Sequence, residues 1–299
     1  MRDWREELRA AVPRASFDEP LARHTTFRIG GPADAFVDAE TPEEVLAVLR
    51  VARDAGEPFF VLGRGSNLLV KDEGVRGVVL RLGGAFAGAE FVGGSRVRAG
   101  AAARVPQLVV QCAERGLSGL EPLVGVPGTV GGALAMNAGT RDGEIGPLVL
   151  ELEAADPAAL AIRSLASSAL AFSYRAGPLE NLIALSSLLQ LKPGDKGDIM
   201  AAVARHQQKR RQTQPIHTFN VGSTFKNPPG RFAAQMIEQL GLKGRAVGGA
   251  RVSPLHANFI ENFAGATASD VLALVDLIRE RAREIFGVEL ELEMRVVGE

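Results

Sequence analysis

The chain has 299 residues, more than one hydrophobic core usually serves, so two or three domains are expected. With 46% hydrophobic and 23% charged residues it reads as a globular enzyme rather than a disordered chain. Lys plus Arg is 34 against 35 for Asp plus Glu, and this net charge of -1 argues against nucleic acid or acidic lipid as the main partner.

The N-terminal MRDWREELRA alternates charges and has no apolar signal core, no apolar run is long enough to span a bilayer, and Cys112 is the single cysteine. A cytoplasmic location is the expectation. Thr41-Pro42-Glu43-Glu44 opens a helix with a cap, a first-turn proline and a capping box. Val45, Val48, Leu49 and Ala52 share its inner face, and Gly56 ends it. PFFVLG reads as a short buried strand and GVVLRL (Gly77 to Leu82) as another, giving a small α/β unit. FVGGSRVRAGA suggests glycine-broken strands. VPQLVVQCAERG is a helix with Val105, Leu108, Val109 and Cys112 on one stripe, so Cys112 reads as a buried hydrophobe rather than a reactive thiol.

A helix near Asp198 to Arg211 ends in Lys209, Arg210 and Arg211, and TQPIHTFNVG reads as a linker broken by Pro215. Two further helices follow, one with Ala233, Met236, Ile237 and Leu240 on a face, the other with Val271, Leu274, Val275, Ile278, Ala282 and Ile285, stopped by Gly287. VELELEMRVV, apolar at Val288, Leu290, Leu292, Met294 and Val296, predicts a half-buried closing strand.

Several motifs are missing. In LGRGSNLLV, Leu68 stands where a third dinucleotide-fingerprint glycine would be, and there is neither a GxxxxGK[ST] loop nor a GxSxG elbow. His24, His206, His217 and His256 are scattered, with no metal-ligand spacing, so no metal site is expected. Two segments are instead rich in glycine and nearly free of charge: GRGSN (Gly63 to Asn67) and GVPGTVGGALAMNAG (Gly125 to Gly139). Taken singly, each reads as tight turns and close backbone packing. Together they suggest main-chain amides and small side chains (Ala133, Ala135, Ala138) lining a site for an extended dinucleotide, with Ser66, Asn67 and Thr129 as neutral donors.

LGRGSNLLV, GVPGTVGGALAMNAG, FSYR (Phe172 to Arg175), GSTFKNP (Gly222 to Pro228) and HANFIEN (His256 to Asn262) occur in that order. With TTFRIGGPADAFV (Thr25 to Val37) before them and Glu293-Met294-Arg295 after, this series resembles the UDP-N-acetylenolpyruvoylglucosamine reductase family of flavoenzymes, in its shorter subgroup. The chain has only Tyr174, already placed in FSYR, so the covering tyrosine loop of other members has no counterpart.

The resemblance implies an α+β fold: a two-subdomain FAD-binding part of the vanillyl-alcohol-oxidase (PCMH) class and a C-terminal α/β substrate domain. Residues 1–82 and 83–211 would be the two FAD-binding subdomains, 212–287 the substrate domain, and 288–299 a strand carrying the catalytic glutamate. FAD would be cradled by Arg28, Gly63, Arg64, Gly65, Ser66, Asn67, Leu68, Val126, Pro127, Gly128, Thr129, Gly132, Ala133, Met136, Asn137, Ala138 and Gly139. NADPH is the implied co-substrate and an enolpyruvyl UDP-sugar the implied substrate, with a monomer expected.

The implied chemistry delivers hydride to the terminal carbon of an enol double bond and a proton to its neighbour, while charge spreads into a carboxylate. By resemblance Arg175 grips the carboxylate, Ser223 donates the proton and Glu293 is the second polar group, with Arg211, Lys226, Asn227 and His256 candidates for holding the UDP-sugar. A donor fixed on developing charge is worth ~3 kcal/mol. Without the family context, Arg175 reads as a surface arginine, Ser223 as a turn serine and Glu293 as part of a solvated acidic face. Lys209 to Arg211 equally suits a helix C-terminus. AGP after FSYR departs from the family's small polar residue. Another FAD-linked oxidase or dehydrogenase of the same fold and a nucleotide-binding or sensory module are the competing readings.

Overall fold

A computed structural model describes residues 3–299. The chain forms two compact units, each assembled from separated stretches: residues 1–17, 34–64 and 77–209 in one, and 18–33, 65–76 and 210–299 in the other. The contiguous spans read from the sequence do not contain this interleaving.

Seven α-helices occur among the described residues: α1 (Trp4–Ala11), α2 (Pro42–Ala55), α3 (Val105–Glu114), α4 (Val130–Ala135), α5 (Lys196–Thr213), α6 (Ala233–Gln239) and α7 (Ala268–Phe286). Helix α2 starts where Thr41 caps it, its hydroxyl accepting from the Glu44 amide, and ends at left-handed Gly56. The expected capping box is not closed. Glu44 instead accepts from the amide of Glu40, at 2.7 Å, and pairs with Arg14, so the carboxylate fastens the approach to the helix rather than its cap. The inner face of α2, with Val45, Val48, Leu49 and Ala52, packs with Leu8, Val37, Val78 and Leu80 into one core of the first unit.

A four-stranded sheet runs in the order Ser16–Pro20, Pro32–Ala39, Val75–Leu82, Phe59–Leu62. Phe59–Leu62 is an edge strand, parallel to Val75–Leu82. It is not buried as PFFVLG suggested: Phe59 and Val61 are each 37% exposed, because an edge strand has no neighbour on one side. A second, antiparallel sheet orders its strands Ala161–Ala166, Val149–Asp156, Ile183–Gln190, Arg96–Gly100, Ala89–Gly93. Its core takes in Val105, Leu108, Val109 and Cys112 from α3 and Ala133 and Leu134 from α4. Burial pushes the Cys112 thiol up to about 12, which leaves it protonated and inert.

The second unit has one core, built from α6, α7, the sheet Ala246–Val247, Ala250–Val252, Ile260–Asn262, and residues such as Phe27, Ile29 and Leu69. Ile285 does not join the buried face of α7. It is 58% exposed, whereas Phe286 packs against the core in the final turn. The closing alternation is expressed in burial, with Leu290 and Met294 inside, but only Arg295–Val297 is a strand, parallel to Leu68–Val70. Before it the chain bonds irregularly to residues 224–226, through Lys226 N–H to the Glu291 carbonyl and Glu293 N–H to the Thr224 carbonyl, each 2.9 Å.

Helix α7 has a full capping box, Thr267 with Asp270. The Asp270 carboxylate is held below the usual carboxylate range by the amides of Thr267 and Gly249 that donate to it. Its folded pKa lies below its unfolded one, so this stabilisation is complete above about pH 4 and is lost as pH falls through the folded value. Asp270→Asn is therefore expected to lower the urea midpoint at pH 7 and to converge with the unaltered protein in acid, read from unfolding curves across that range.

Candidate functional site

In the first unit the two glycine-rich segments meet. A Cβ on Gly63 would stand 3.0 Å from the Thr129 hydroxyl oxygen. Thr129 caps α4, accepting from Gly132 N–H at 3.3 Å. The amides of Val130 and Gly131 donate to the carbonyls of Ala103 and Ala101, at 2.9 and 2.8 Å. The first three amides of α4 are thus bonded within the protein, and any anion here must rely on the loop before the helix and on nearby cations.

Those cations are present. Partial desolvation, then repulsion by Arg104 and Arg81, pushes the Arg64 guanidinium down from its ordinary value. Asp38 grips Arg81 with two bonds of 2.5 and 2.7 Å, which leaves the cluster with a positive excess. This excess fits a dinucleotide pyrophosphate, and exposed Pro127 and Gly132 leave room for it. Arg104 was not singled out from the sequence. Its backbone bridge to Thr129 couples positions 25 residues apart, and local patterning does not reveal such a pairing.

The other expected cofactor residues divide. Ala133 is buried in the core, Gly139 is pressed against Glu144 and the Gly143 carbonyl, and Val126, Met136 and Ala138 are half-buried. Asn137, in the left-handed region at φ 42°, is buried and spends its carboxamide on the protein. It donates to Glu144 Oε2 at 2.8 Å and to the Ser173 carbonyl at 3.0 Å, and accepts from Gly146 N–H at 3.0 Å. Ser173 opens the turn that carries Arg175: Ser173 and Ala176 exchange both main-chain bonds, at 2.9 and 3.1 Å, with Arg175 at φ 58°. The Arg175 guanidinium lies 5.1 Å from the Tyr174 ring centroid, and Tyr174 is exposed rather than packed in a core.

Asn137 therefore ties the glycine-rich segment to the arginine turn. Asn137→Ala would strand the buried Gly146 amide and take one of two bonds from the Ser173 carbonyl, which keeps Ala176 N–H. It is expected to cost about 3 kcal/mol of stability, measured by urea unfolding.

In the second unit Gly65 (φ 58°) is fixed by close approach: a Cβ there would lie 2.6 Å from the His24 carbonyl oxygen. Arg28 also has positive φ, and its guanidinium lies 5.7 Å from the Phe219 ring centroid. Leu68 is buried and Ser66 half-buried. Asn67 reaches the closing segment, donating through Nδ2 to the Glu293 carbonyl at 3.0 Å while its own carbonyl accepts from Arg295 N–H at 3.0 Å.

Ser223 follows Gly222, which sits at φ 83° with its amide bonded to Asn220 Oδ1. The Thr224 carbonyl next to Ser223 accepts from the amides of Glu293 and Met294, so Ser223 and Glu293 lie on neighbouring stretches of main chain. Both are half-buried, whereas Glu289 and Glu291 are exposed. Lys226 pairs with Glu291 at 3.3 Å, and Asn227 Oδ1 accepts from the Ala233 amide at the start of α6. His256 Nδ1 accepts from the Asn258 amide at 3.3 Å, and burial pushes the ring below its ordinary value, so a neutral ring carries its proton on Nε2. Arg211 is exposed, and its neighbour Arg210 is the more desolvated cation, pushed down by burial.

Among the described residues no group of three or more His, Cys, Asp or Glu could hold a metal ion, and no helix is long and apolar enough to cross a membrane.

Residues 214–297 match the C-terminal domain of UDP-N-acetylenolpyruvoylglucosamine reductase, and residues 33–163 match an FAD binding domain. The chain is 45% identical to UDP-N-acetylenolpyruvoylglucosamine reductase 2 of Symbiobacterium thermophilum, covering 94% of this chain and 91% of the relative. It is 42% identical to the reductase of Rubrobacter xylanophilus, covering 98% of both chains. The crystal structure of the reductase from Thermus caldophilus superposes with a TM-score of 0.82 at 38% identity, over 95% of this chain and 98% of that one. A berberine bridge enzyme variant shares the fold alone, with a TM-score of 0.51 at 14% identity over 65% of this chain and 44% of that one. The architecture is α+β, with an FAD-binding part whose fold that enzyme shares. The chain belongs to the UDP-N-acetylenolpyruvoylglucosamine reductase family.

Proposed function

We propose that the protein is the NADPH-dependent flavoenzyme that reduces the enolpyruvyl ether of UDP-N-acetylglucosamine enolpyruvate to UDP-N-acetylmuramate in peptidoglycan precursor synthesis. The observation that carries this reading is the bonding of the Glu293 amide to the Thr224 carbonyl, which sets an acid beside a serine in one unit. An FAD oxidase of the same fold acting on another substrate has no use for that pair.

FAD supplies a hydride carrier between NADPH and the enol double bond. The cluster of Arg64 and Arg104, beside the Gly63–Thr129 contact and with room at Gly132, would hold its pyrophosphate, and by resemblance Arg28 and residues 65–68 also contact FAD. Arg175 grips the substrate carboxylate, where a guanidinium can make two parallel bonds as charge develops. Ser223 gives its hydroxyl proton to the carbon next to that carboxylate. Glu293, half-buried, hydrogen-bonds the reacting group. His256 Nε2–H, Lys226, Asn227, and Arg211 or its neighbour Arg210 face the UDP-sugar. Residues 1–82 and 83–211 would supply the two FAD-binding subdomains, apart from 18–33 and 65–76, which pack with 210–299, while 212–287 would form the substrate domain and 288–299 bring Glu293. The enzyme works as a cytoplasmic monomer, a setting that suits one inert thiol.

The deciding experiment is anaerobic. The bound flavin is reduced, NADPH is removed and enolpyruvyl UDP-sugar is added. Recovery of the oxidised flavin band, with one lactyl ether formed per flavin, is expected. A flavin that stays bleached would leave only the fold assignment standing.

A further inference from the structure

Ser223 stands between two very different neighbours. On one side Gly222 sits at φ 83°, with open space where a Cβ would be and one bond, from its amide to Asn220 Oδ1. On the other, Thr224 and Phe225 are buried and tightly bonded. Asn258 holds that second side. Its carbonyl accepts from Thr224 N–H at 2.8 Å, its Oδ1 accepts from Phe225 N–H at 3.0 Å, and its Nδ2 donates to the Phe225 carbonyl at 2.8 Å. Asn258 is only 4% exposed, so water cannot substitute for these bonds. The Thr224 hydroxyl is buried without a partner and offers no alternative hold.

We propose that Asn258 is the positioning residue for Ser223 and Glu293, its carboxamide clamping the main chain of Phe225 so that the serine and the segment bonded to the Thr224 carbonyl keep one fixed relation. The inference rests on the functional reading above. Both carboxamide ends are used in a set orientation, oxygen to N–H and nitrogen to C=O, so the clamp tolerates neither a flipped amide nor a carboxylate. The Thr224 carbonyl receives the Glu293 and Met294 amides, so a shift at residues 224–225 moves serine and acid together. A misplacement of about 1 Å is enough to slow chemistry ~10²-fold.

The test uses the flavin-loaded full chain with Asn258→Ala and Asn258→Asp, each half-reaction followed separately. For Asn258→Ala, flavin reduction by NADPH is expected to stay within about twofold, and reoxidation by enolpyruvyl UDP-sugar to slow about 10²-fold. In a Ser223→Ala background the same change should slow reoxidation by much less than ~10²-fold, because one of the two groups it positions is gone. Asn258→Asp keeps the shape and provides a second readout if the alanine variant does not fold. An ionised carboxylate repels the Phe225 carbonyl and a protonated one donates to it, so reoxidation should recover as pH falls and the introduced carboxyl takes up its proton.

The inference is overturned if either folded variant reoxidises at the unaltered rate at neutral pH. Equal slowing of both half-reactions, or multiplication of the Asn258 and Ser223 effects, would also overturn it. Failure of the unaltered enzyme to reoxidise with enolpyruvyl UDP-sugar is a different result, and it sinks the functional reading itself.

Discussion

Ser223→Ala is expected to leave flavin reduction by NADPH at its normal rate and to slow reoxidation by enolpyruvyl UDP-sugar about 10³-fold, the middle of the range for a positioned proton donor. The two half-reactions separate because only the second needs a proton at carbon. The side chain is small and half-buried, and the main chain around it is held by Asn220 at Gly222 and by residues 258 and 293 at Thr224. Losing one oxygen there should leave the fold unchanged, so the variant should bind flavin and unfold at the same urea concentration. A Ser223→Cys variant sharpens the result, since a thiol is a proton donor of different acidity and should recover part of the rate. Stopped-flow absorbance of the flavin band checks each step. If Ser223→Ala reoxidises at the unaltered rate, the proton comes from elsewhere and the pairing of Ser223 with Glu293 has another purpose.

The elements that local pattern could show are those whose stabilisation is local. Helix α2 begins and ends where Thr41, Pro42 and Gly56 place it, and the apolar stripe of α3 faces the core as its spacing requires. Periodicity does not report which strand lies at a sheet edge, because strand order is fixed by pairing between distant segments; hence the exposure of Phe59 and Val61. It also does not report the end of a core, and so Ile285 continues the stripe of α7 into solvent. The site was legible as a set of motifs but not as an arrangement. Asn67 and Glu293 are joined across 226 positions, Asn262 and Phe27 across 235, and Asn258 and Phe225 across 33. Each bond uses an asparagine, buried at 258 and 262 and half-buried at 67, a residue that sequence reading assigns to turns and surfaces. Asn137 shows the difference. Its motif suggested a cofactor contact, and its three side-chain bonds reach Glu144, Gly146 and Ser173, the last in the turn that carries Arg175.

That turn is the subject of the second large effect. Gly177→Ala is expected to reduce kcat/KM for the enolpyruvyl UDP-sugar by about 10²-fold, the loss that follows from moving a substrate-gripping group by ~1 Å. A Cβ at Gly177 would stand 1.7 Å from the Leu134 carbonyl oxygen and 2.9 Å from its carbon. Overlap of that depth with main chain cannot be relieved by a side-chain rotation. One of the two backbones must move, and α4 is the more constrained. Leu134 is buried in the core, the amides of Val130 and Gly131 are bonded to Ala103 and Ala101, and Thr129 caps the helix. The segment after the turn is held to α4 by one main-chain bond, Gly177 N–H to the Ala135 carbonyl at 3.1 Å, so it is this segment that yields. Arg175, two residues earlier and at a positive φ that an arginine adopts only under constraint, moves with it. The loss should fall on substrate reduction and spare flavin reduction by NADPH, as for Arg175→Lys, because both changes disturb the grip on the substrate carboxylate. Combining Gly177→Ala with Arg175→Lys should then cost much less than the product of the two separate effects. If the two losses multiply, Gly177 supports the enzyme by a route other than Arg175.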